Sequence, residues 1–157
     1  VEITAALKAR IRSLCEQQKL AVLATTGDNR PYANLVAFVC DPAMTYLLFA
    51  TPRTTRKFLN LQSNPAAALL IHDAANRKAD FTQAISLTVL GTASEALPPD
   101  KEAYQADYLK KHPHLRSFVT SKECALLRVA IDTLIVVSDF QTVHTWHLSP
   151  ATEADGL

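Results

Sequence analysis

Leu20-Ala21-Val22-Leu23-Ala24-Thr25-Thr26-Gly27-Asp28-Asn29-Arg30-Pro31-Tyr32 reads as an apolar strand, a turn and the start of a second strand. The cluster from Gly27 to Pro31 is a strong turn signal between two extended runs. The second run, Tyr32 to Cys40, is β-branched and aromatic, and Asp41-Pro42 breaks it. A third strand follows at Thr45 to Ala50. Upstream, Ile3 to Gln18 carries helical periodicity, with Ile3, Leu7, Ile11, Leu14 and Cys15 on one stripe. Helix, strand, turn, strand, turn, strand, with no crossover helix, predicts an antiparallel β-meander.

Downstream, the pattern continues in the same style. Ser63-Asn64-Pro65 ends a short helix, and Ala66 to His72 returns as a strand. Asp73 to Asp80 is polar and mixed in sign, which predicts a solvated loop. Gln83 to Leu97 is a long strand candidate in which Ile85, Leu87 and Val89 alternate with Ser86, Thr88 and Leu90. Gly91 in its middle marks a bulge or bend. Pro98-Pro99-Asp100 opens a helix to about Lys111, His112-Pro113 ends it, and Leu115, Phe118 and Val119 form a second short one. Strands at Ala125 to Ile131 and Leu134 to Val137, then Asp139 to Leu148, close the chain. Six or seven apolar strands with few helices predict a mainly β fold, an antiparallel barrel closed or nearly closed to protect its edges. We read residues 1–157 as one domain, with an N-terminal helix (1–18), a helical insertion (99–119) and closing strands (124–148).

The stretch with the most chemistry is Ala50-Thr51-Pro52-Arg53-Thr54-Thr55-Arg56-Lys57-Phe58-Leu59-Asn60-Leu61. Thr51 is a good N-cap, and Pro52 suits the first helical position. Arg53, Arg56 and Lys57 then fall in the first turn and a half, the wrong end for cations in the field of the helix dipole. They are either solvated surface charges or half of an anion site. Free backbone N–H groups, threonine hydroxyls and Arg/Lys side chains together suit a phosphate.

Composition narrows the field. A length of 157 residues, 48% hydrophobic and 20% charged, fits one ordinary globular domain. The net charge of +1 offers no field for nucleic acid or an anionic membrane surface. No apolar run reaches the length of a membrane span, and nothing resembles a secretory signal. Cys15, Cys40 and Cys124 are odd in number, distant in sequence and set in apolar runs, so we expect buried, reduced thiols in a cytoplasmic protein. With three glycines in all, neither a dinucleotide-binding GxGxxG loop nor a Walker loop is present. His144 and His147 share a face only on a helix; on a strand they point apart, and no acidic or cysteine cluster accompanies them as metal ligands.

The order Leu23-Ala24-Thr25, Arg30-Pro31-Tyr32, Leu35-Val36-Ala37-Phe38, Arg56-Lys57-Phe58-Leu59-Asn60-Leu61, Asn64-Pro65 and Leu90-Gly91-Thr92-Ala93 resembles the pyridoxamine 5′-phosphate oxidase-like FMN-binding split barrels. The resemblance covers residues 15 to 97 well and the C-terminal strands more loosely. It implies an antiparallel six-stranded split β-barrel, a homodimer and two FMN sites at the dimer interface. It also implies that Thr55, Arg56 and Lys57 clamp the FMN phosphate. Asn34, Leu35, Val36 and Ala37 of the second strand, with Ala50 and Thr51 of the third, would line the flavin, largely through backbone groups. Ser86, with Gln83 beside it, would reach the flavin or its ribityl chain. The departures are equally specific. Ala33 and Phe38 stand where the true oxidase carries basic residues, and Val137 stands where it has a tryptophan. Its Arg-rich C-terminal segment has no counterpart in residues 140–157. Trp146 is a candidate cover for the flavin from the partner subunit. The resemblance therefore implies an FMN-dependent oxidoreductase acting with a small-molecule substrate or electron donor, without the pyridoxine-phosphate activity. Its alternatives are a non-catalytic flavin-binding or sensing module, and a barrel that takes haem or a deazaflavin.

Overall fold

In the computed structural model, residues 3–148 are described; residues 1–2, at the start of the expected N-terminal helix, and residues 149–157 lie outside that range. Helix α1 (Ala5–Gln17) is capped by Thr4, whose hydroxyl accepts the Leu7 N–H at 3.2 Å. It buries Leu7, Ile11, Leu14 and Cys15, four members of the stripe read from the sequence. Strands β1 (Leu20–Gly27) and β2 (Arg30–Cys40) form a hairpin in register Gly27↔Arg30. Asp28 and Asn29 make its two-residue turn with φ of 50° and 58°, the left-handed geometry that matches the twist of paired strands. Asp41 then reverses the chain: its carboxylate accepts the Thr45 and Tyr46 N–H groups and the Thr45 hydroxyl. Strand β3 (Tyr46–Pro52) follows.

The order continues with α2 (Arg56–Ser63), β4 (Ala66–His72), a helical turn α3 (Asp80–Gln83) and β5 (Ser86–Glu95). Next come α4 (Lys101–Lys111), a 3-10 turn at Pro113–Leu115, α5 (Arg116–Val119), β6 (Cys124–Ser138) and β7 (Thr142–His147). The sheet order is β3-β2-β1-β4-β5-β6-β7, and β3 also pairs with β6. That extra pairing closes six antiparallel strands into a barrel and leaves β7 as a flap on β6. Phe38, Leu47, Phe49, Leu69, Leu87, Val129 and Leu134 fill the interior. A second cluster, with Leu48, Tyr108, Leu109 and Leu126 at its centre, seats α4 on the outer side of β3 and β6.

Three sequence expectations change. The expected strand from Gln83 begins only at Ser86, because the helical turn α3 takes Asp80–Gln83, and the Asp80 carboxylate holds the preceding loop by accepting the Ala75 and Arg77 N–H groups. The two expected strands over 125–137 are one, β6, running through Asp132. The register steps there from Leu90↔Thr133 to Gly91↔Ile131, which makes Asp132 an extra residue in a bulge. Gly91 is needed on the facing strand: a Cβ would lie 2.2 Å from the Ala130 carbonyl oxygen. The third change, at the start of α2, belongs to the site.

Candidate functional site

The helix after β3 starts four residues later than the sequence suggests. Pro52 still pairs with Cys124 of β6, and the Arg53 N–H donates to the Glu123 carbonyl at 2.9 Å, so the chain stays extended past Thr51. Thr55 is the N-cap, its hydroxyl accepting the Phe58 N–H. Thr51 is fully buried, and its hydroxyl lies 2.7 Å from that of Thr55, steadying the cap. Arg53 leaves the candidate clamp, because its guanidinium pairs with the Glu95 carboxylate.

Arg56 and Lys57 remain as the first two residues of α2, and neither has a carboxylate partner among the described residues. Their backbone N–H groups fall in the first turn, where no intrahelical acceptor exists. The exposed Arg56 guanidinium stacks 5.3 Å over the Tyr32 ring. Lys57 is half-buried, and desolvation alone holds its ammonium pKa below the ordinary lysine value. A half-buried cation at the positive end of a helix is held against both solvation and the dipole. Beside Arg56 a groove of about 870 Å³ runs between the β1–β2 turn and α2, lined by Arg30, Tyr32, Thr54, Arg56 and Leu59 among others, with Lys57 outside its lining. Asn60 donates to the Thr25 hydroxyl at 3.0 Å and anchors the helix on β1. The approach is so close that a Cβ on Gly27 would lie 2.1 Å from the Asn60 amide oxygen.

The barrel is split next to this helix. β2 pairs with β3 only from Phe38↔Phe49 to Cys40↔Leu47, so residues 30–37 have no strand on that side. The Phe38 N–H donates to the Lys19 carbonyl, which turns the even-numbered peptides of β2 toward β1. The odd-numbered ones, Ala33, Leu35 and Ala37, therefore present their N–H and C=O groups to the split. By the same alternation, the Arg53 bond to Glu123 turns Thr51 toward β6 and Ala50 toward the split. Helix α4 plugs the narrow end, with the Tyr108 hydroxyl donating to the Ala37 carbonyl and the His112 ring bonded to that of Phe38. Burial pushes the Tyr108 hydroxyl up to about 12 and lowers the His112 pKa, so Tyr108 stays a donor.

The expected flavin-lining residues thus sort by backbone parity. Leu35 and Ala50 offer free peptide groups, and Ala37 offers one partly taken by Tyr108. Val36 is buried in the barrel and spends its peptide on β1. Asn34 faces inward like Val36, and its amide oxygen is buried with no hydrogen-bond partner among the described residues. Ser86 and Gln83 are elsewhere. Ser86 pairs with Val137, whereas Thr51 pairs with Ala125, twelve residues away along β6. That is about 40 Å of strand at the usual rise, so one subunit does not bring them together. The histidines settle onto β7, where His144 turns inward and the exposed His147 bonds Thr133; they do not share a face. Trp146 packs against the barrel with the Lys8 ammonium 4.6 Å over its ring. No group of three or more metal-ligating side chains occurs among the described residues. None of the helices in that range is long and apolar enough to cross a membrane.

A six-stranded antiparallel barrel opened along β2 beside a basic helix start defines a split barrel. Residues 7–147 match the profile of the pyridoxamine 5′-phosphate oxidase family, and the chain belongs to that family. It is 25% identical over 178 residues to a pyridoxamine 5′-phosphate oxidase homolog of Saccharomyces cerevisiae, covering 82% of this chain and 89% of the yeast protein. A heme binding protein from Mycobacterium smegmatis superposes with TM-score 0.79 at 16% identity, over 94% of this chain and 59% of its own. An FAD-binding protein from Mesorhizobium loti superposes with TM-score 0.65 at 15% identity, over 85% and 92% of the two chains. At these identities the structural likenesses speak for the fold.

Proposed function

We propose that the protein is an FMN-binding homodimer and an oxidoreductase of the cytoplasm, acting on a small-molecule substrate or electron donor other than pyridoxine phosphate. The carrying observation is the pair Arg56 and Lys57, two cations without a carboxylate partner among the described residues, whose own N–H groups are the ones the Thr55 cap leaves free at the start of a helix beside the split. A phosphate there answers the charge, the orphaned donors and the desolvated ammonium together. The free peptides of Ala33, Leu35 and Ala50 suit a planar ring that needs hydrogen bonds along its edge, and Asn34 supplies an acceptor in want of a donor. Bound FMN would supply the hydride or electron transfer, and the chain would position and shield it.

The same geometry supports the dimer. Ser86 and Gln83 meet the Arg56–Lys57 end only if they come from a second copy. The outer face of the barrel supports that arrangement: Leu35, Val22 and Leu70 are direct cross-strand neighbours, with Leu35 61% and Leu70 38% exposed. An apolar row of this kind on a sheet face marks an interface. Activity on pyridoxine phosphate is disfavoured by Ala33, Phe38 and Val137, which offer no charge or indole to that substrate.

The test is an absorbance spectrum after loading with FMN and desalting. Retained flavin bands support the reading; a protein that does not hold FMN refutes it. Turnover of the bound flavin with NADH or NADPH separates an oxidoreductase from a carrier. A second reading, haem, rests on His144, whose Nδ1 is buried without a partner among the described residues. A Soret band on haem titration, lost in His144→Ala, is its signature.

A further inference from the structure

At the far end of β2 from the basic helix start, a cavity of about 510 Å³ opens between α1, the β2–β3 turn and the C-terminal half of α4. Its lining includes Cys15, Cys40, Met44, Tyr46, Asp107 and Lys111. The sequence separates the two cysteines by a helix end, a strand and a turn; the fold puts both on one wall. The Lys111 ammonium is fixed beside them, donating to the Cys15 carbonyl at 2.7 Å and lying 3.9 Å over the Phe38 ring. Nothing in the FMN reading uses these groups. We propose that Cys15 and Cys40 form an oxidant-sensitive thiol pair, which a hydroperoxide entering this cavity converts to a reversible disulfide.

The chemistry is ordered by the surroundings. The Cys15 thiol beside it and burial hold the Cys40 thiol well above its usual range, so Cys40 keeps its proton and Cys15 is the attacking sulfur. The Cys15 sulfur bonds one peroxide oxygen as the O–O bond breaks; the other oxygen leaves as water or an alcohol, taking up the proton that the Cys15 thiol gives up. Cys40 sulfur then attacks the Cys15 sulfenic acid. The S–S bond forms, the S–O bond breaks, and the hydroxyl departs with the Cys40 proton as water. The two thiols lose two electrons and the peroxide gains them. The product ties α1 to the end of β2. Cys124 is also buried but lies in the cluster beneath α4, and serves as an internal control.

The test treats the reduced full chain with hydrogen peroxide, blocks remaining thiols by alkylation, and maps peptides by mass. The expected result is a peptide pair joined through Cys15 and Cys40, two mass units lighter than the thiols and released by dithiothreitol, with Cys124 alkylated. Lys111→Met should slow linkage, because it removes the ammonium that sits beside both thiols. Cys15→Ser and Cys40→Ser should each abolish linkage. Oxidation that leaves Cys15 and Cys40 unlinked, or that consumes Cys124 at the same rate, overturns the proposal; the wild-type map alone decides this if a variant does not fold.

Discussion

Replacing both Arg56 and Lys57 by alanine isolates the phosphate assignment. Lys57 is half-buried, so its contact with a phosphate falls in the range of charge-assisted hydrogen bonds, about 1.5–3 kcal/mol. Arg56 is exposed and already stacked on Tyr32, so screening limits it to roughly 0.5–1 kcal/mol. The pair together should weaken FMN by about 2–4 kcal/mol, or about 30- to 1,000-fold. Riboflavin lacks the phosphate and should bind the wild type and the double variant equally. Fluorescence quenching titrations of both ligands give the ratio. Equal weakening of FMN and riboflavin, or none of either, refutes the reasoning. A sign test accompanies it. The folded chain depresses the Lys57 pKa, so that group's contribution to apo stability is full above the ordinary lysine value and is lost as pH falls through the folded value. At neutral pH the charged Lys57 therefore costs stability, and Lys57→Met should raise the apo Tm while lowering FMN affinity.

Four further outcomes follow from particular contacts. Leu35→Asp combined with Leu70→Asp puts carboxylates on the exposed apolar row; light scattering should show a folded monomer that has also lost FMN, and a persistent dimer would place the interface elsewhere. Gly91→Ala sets a Cβ against the Ala130 carbonyl, which cannot move without breaking the bulge. It should cost about 3 kcal/mol, or about 6–12 °C of Tm by calorimetry. Gly27→Ala should cost only about 1 kcal/mol, because the Asn60 amide can swing away at the loss of its Thr25 bond. His112 has a folded pKa below its unfolded one, so its contribution is full above the ordinary histidine range and is lost as pH falls through the folded value. His112→Gln should flatten the acid side of a Tm–pH profile, and an unchanged slope would show that the ring gains a proton without penalty.

What the sequence made legible was decided by local signals. The β1–β2 hairpin was readable because its turn residues sit where left-handed backbone is required, and α1 because its apolar stripe has helical spacing. The Arg56–Lys57 pair was readable because its charge contradicts the dipole. Thr51 was misread as the cap because both it and Thr55 satisfy the local rule; pairing of Pro52 with Cys124, a contact across 72 positions, chooses between them. The bulge at Asp132 is equally nonlocal, since its cause is the register of β5 opposite. The Cys15–Cys40 pair left no local trace, because a helix and a strand end meet there only after the barrel closes.

The division of the expected residues into two distant groups is the strongest structural argument for a second copy. A single barrel carries the Arg56–Lys57 helix start, the free β2 edge and Ala50 around the split. It carries Ser86, the first residue of β5, and Gln83, the last of α3, by the far end of β6, and β5 joins the sheet beside the apolar row where Thr88 pairs with Leu70. A two-fold axis through that row would bring each half beside the other's complement, as isologous interfaces do. FMN affinity should then depend on protein concentration wherever the dimer dissociates. Ser86→Leu should weaken FMN without touching the Arg56–Lys57 end. A mixed dimer of Ser86→Leu with the Arg56→Ala, Lys57→Ala variant should regain one intact site of two. Recovery of half the wild-type stoichiometry in the isolated mixed dimer supports shared sites. No recovery, with mixed dimers shown to form, would mean that each subunit builds its site alone.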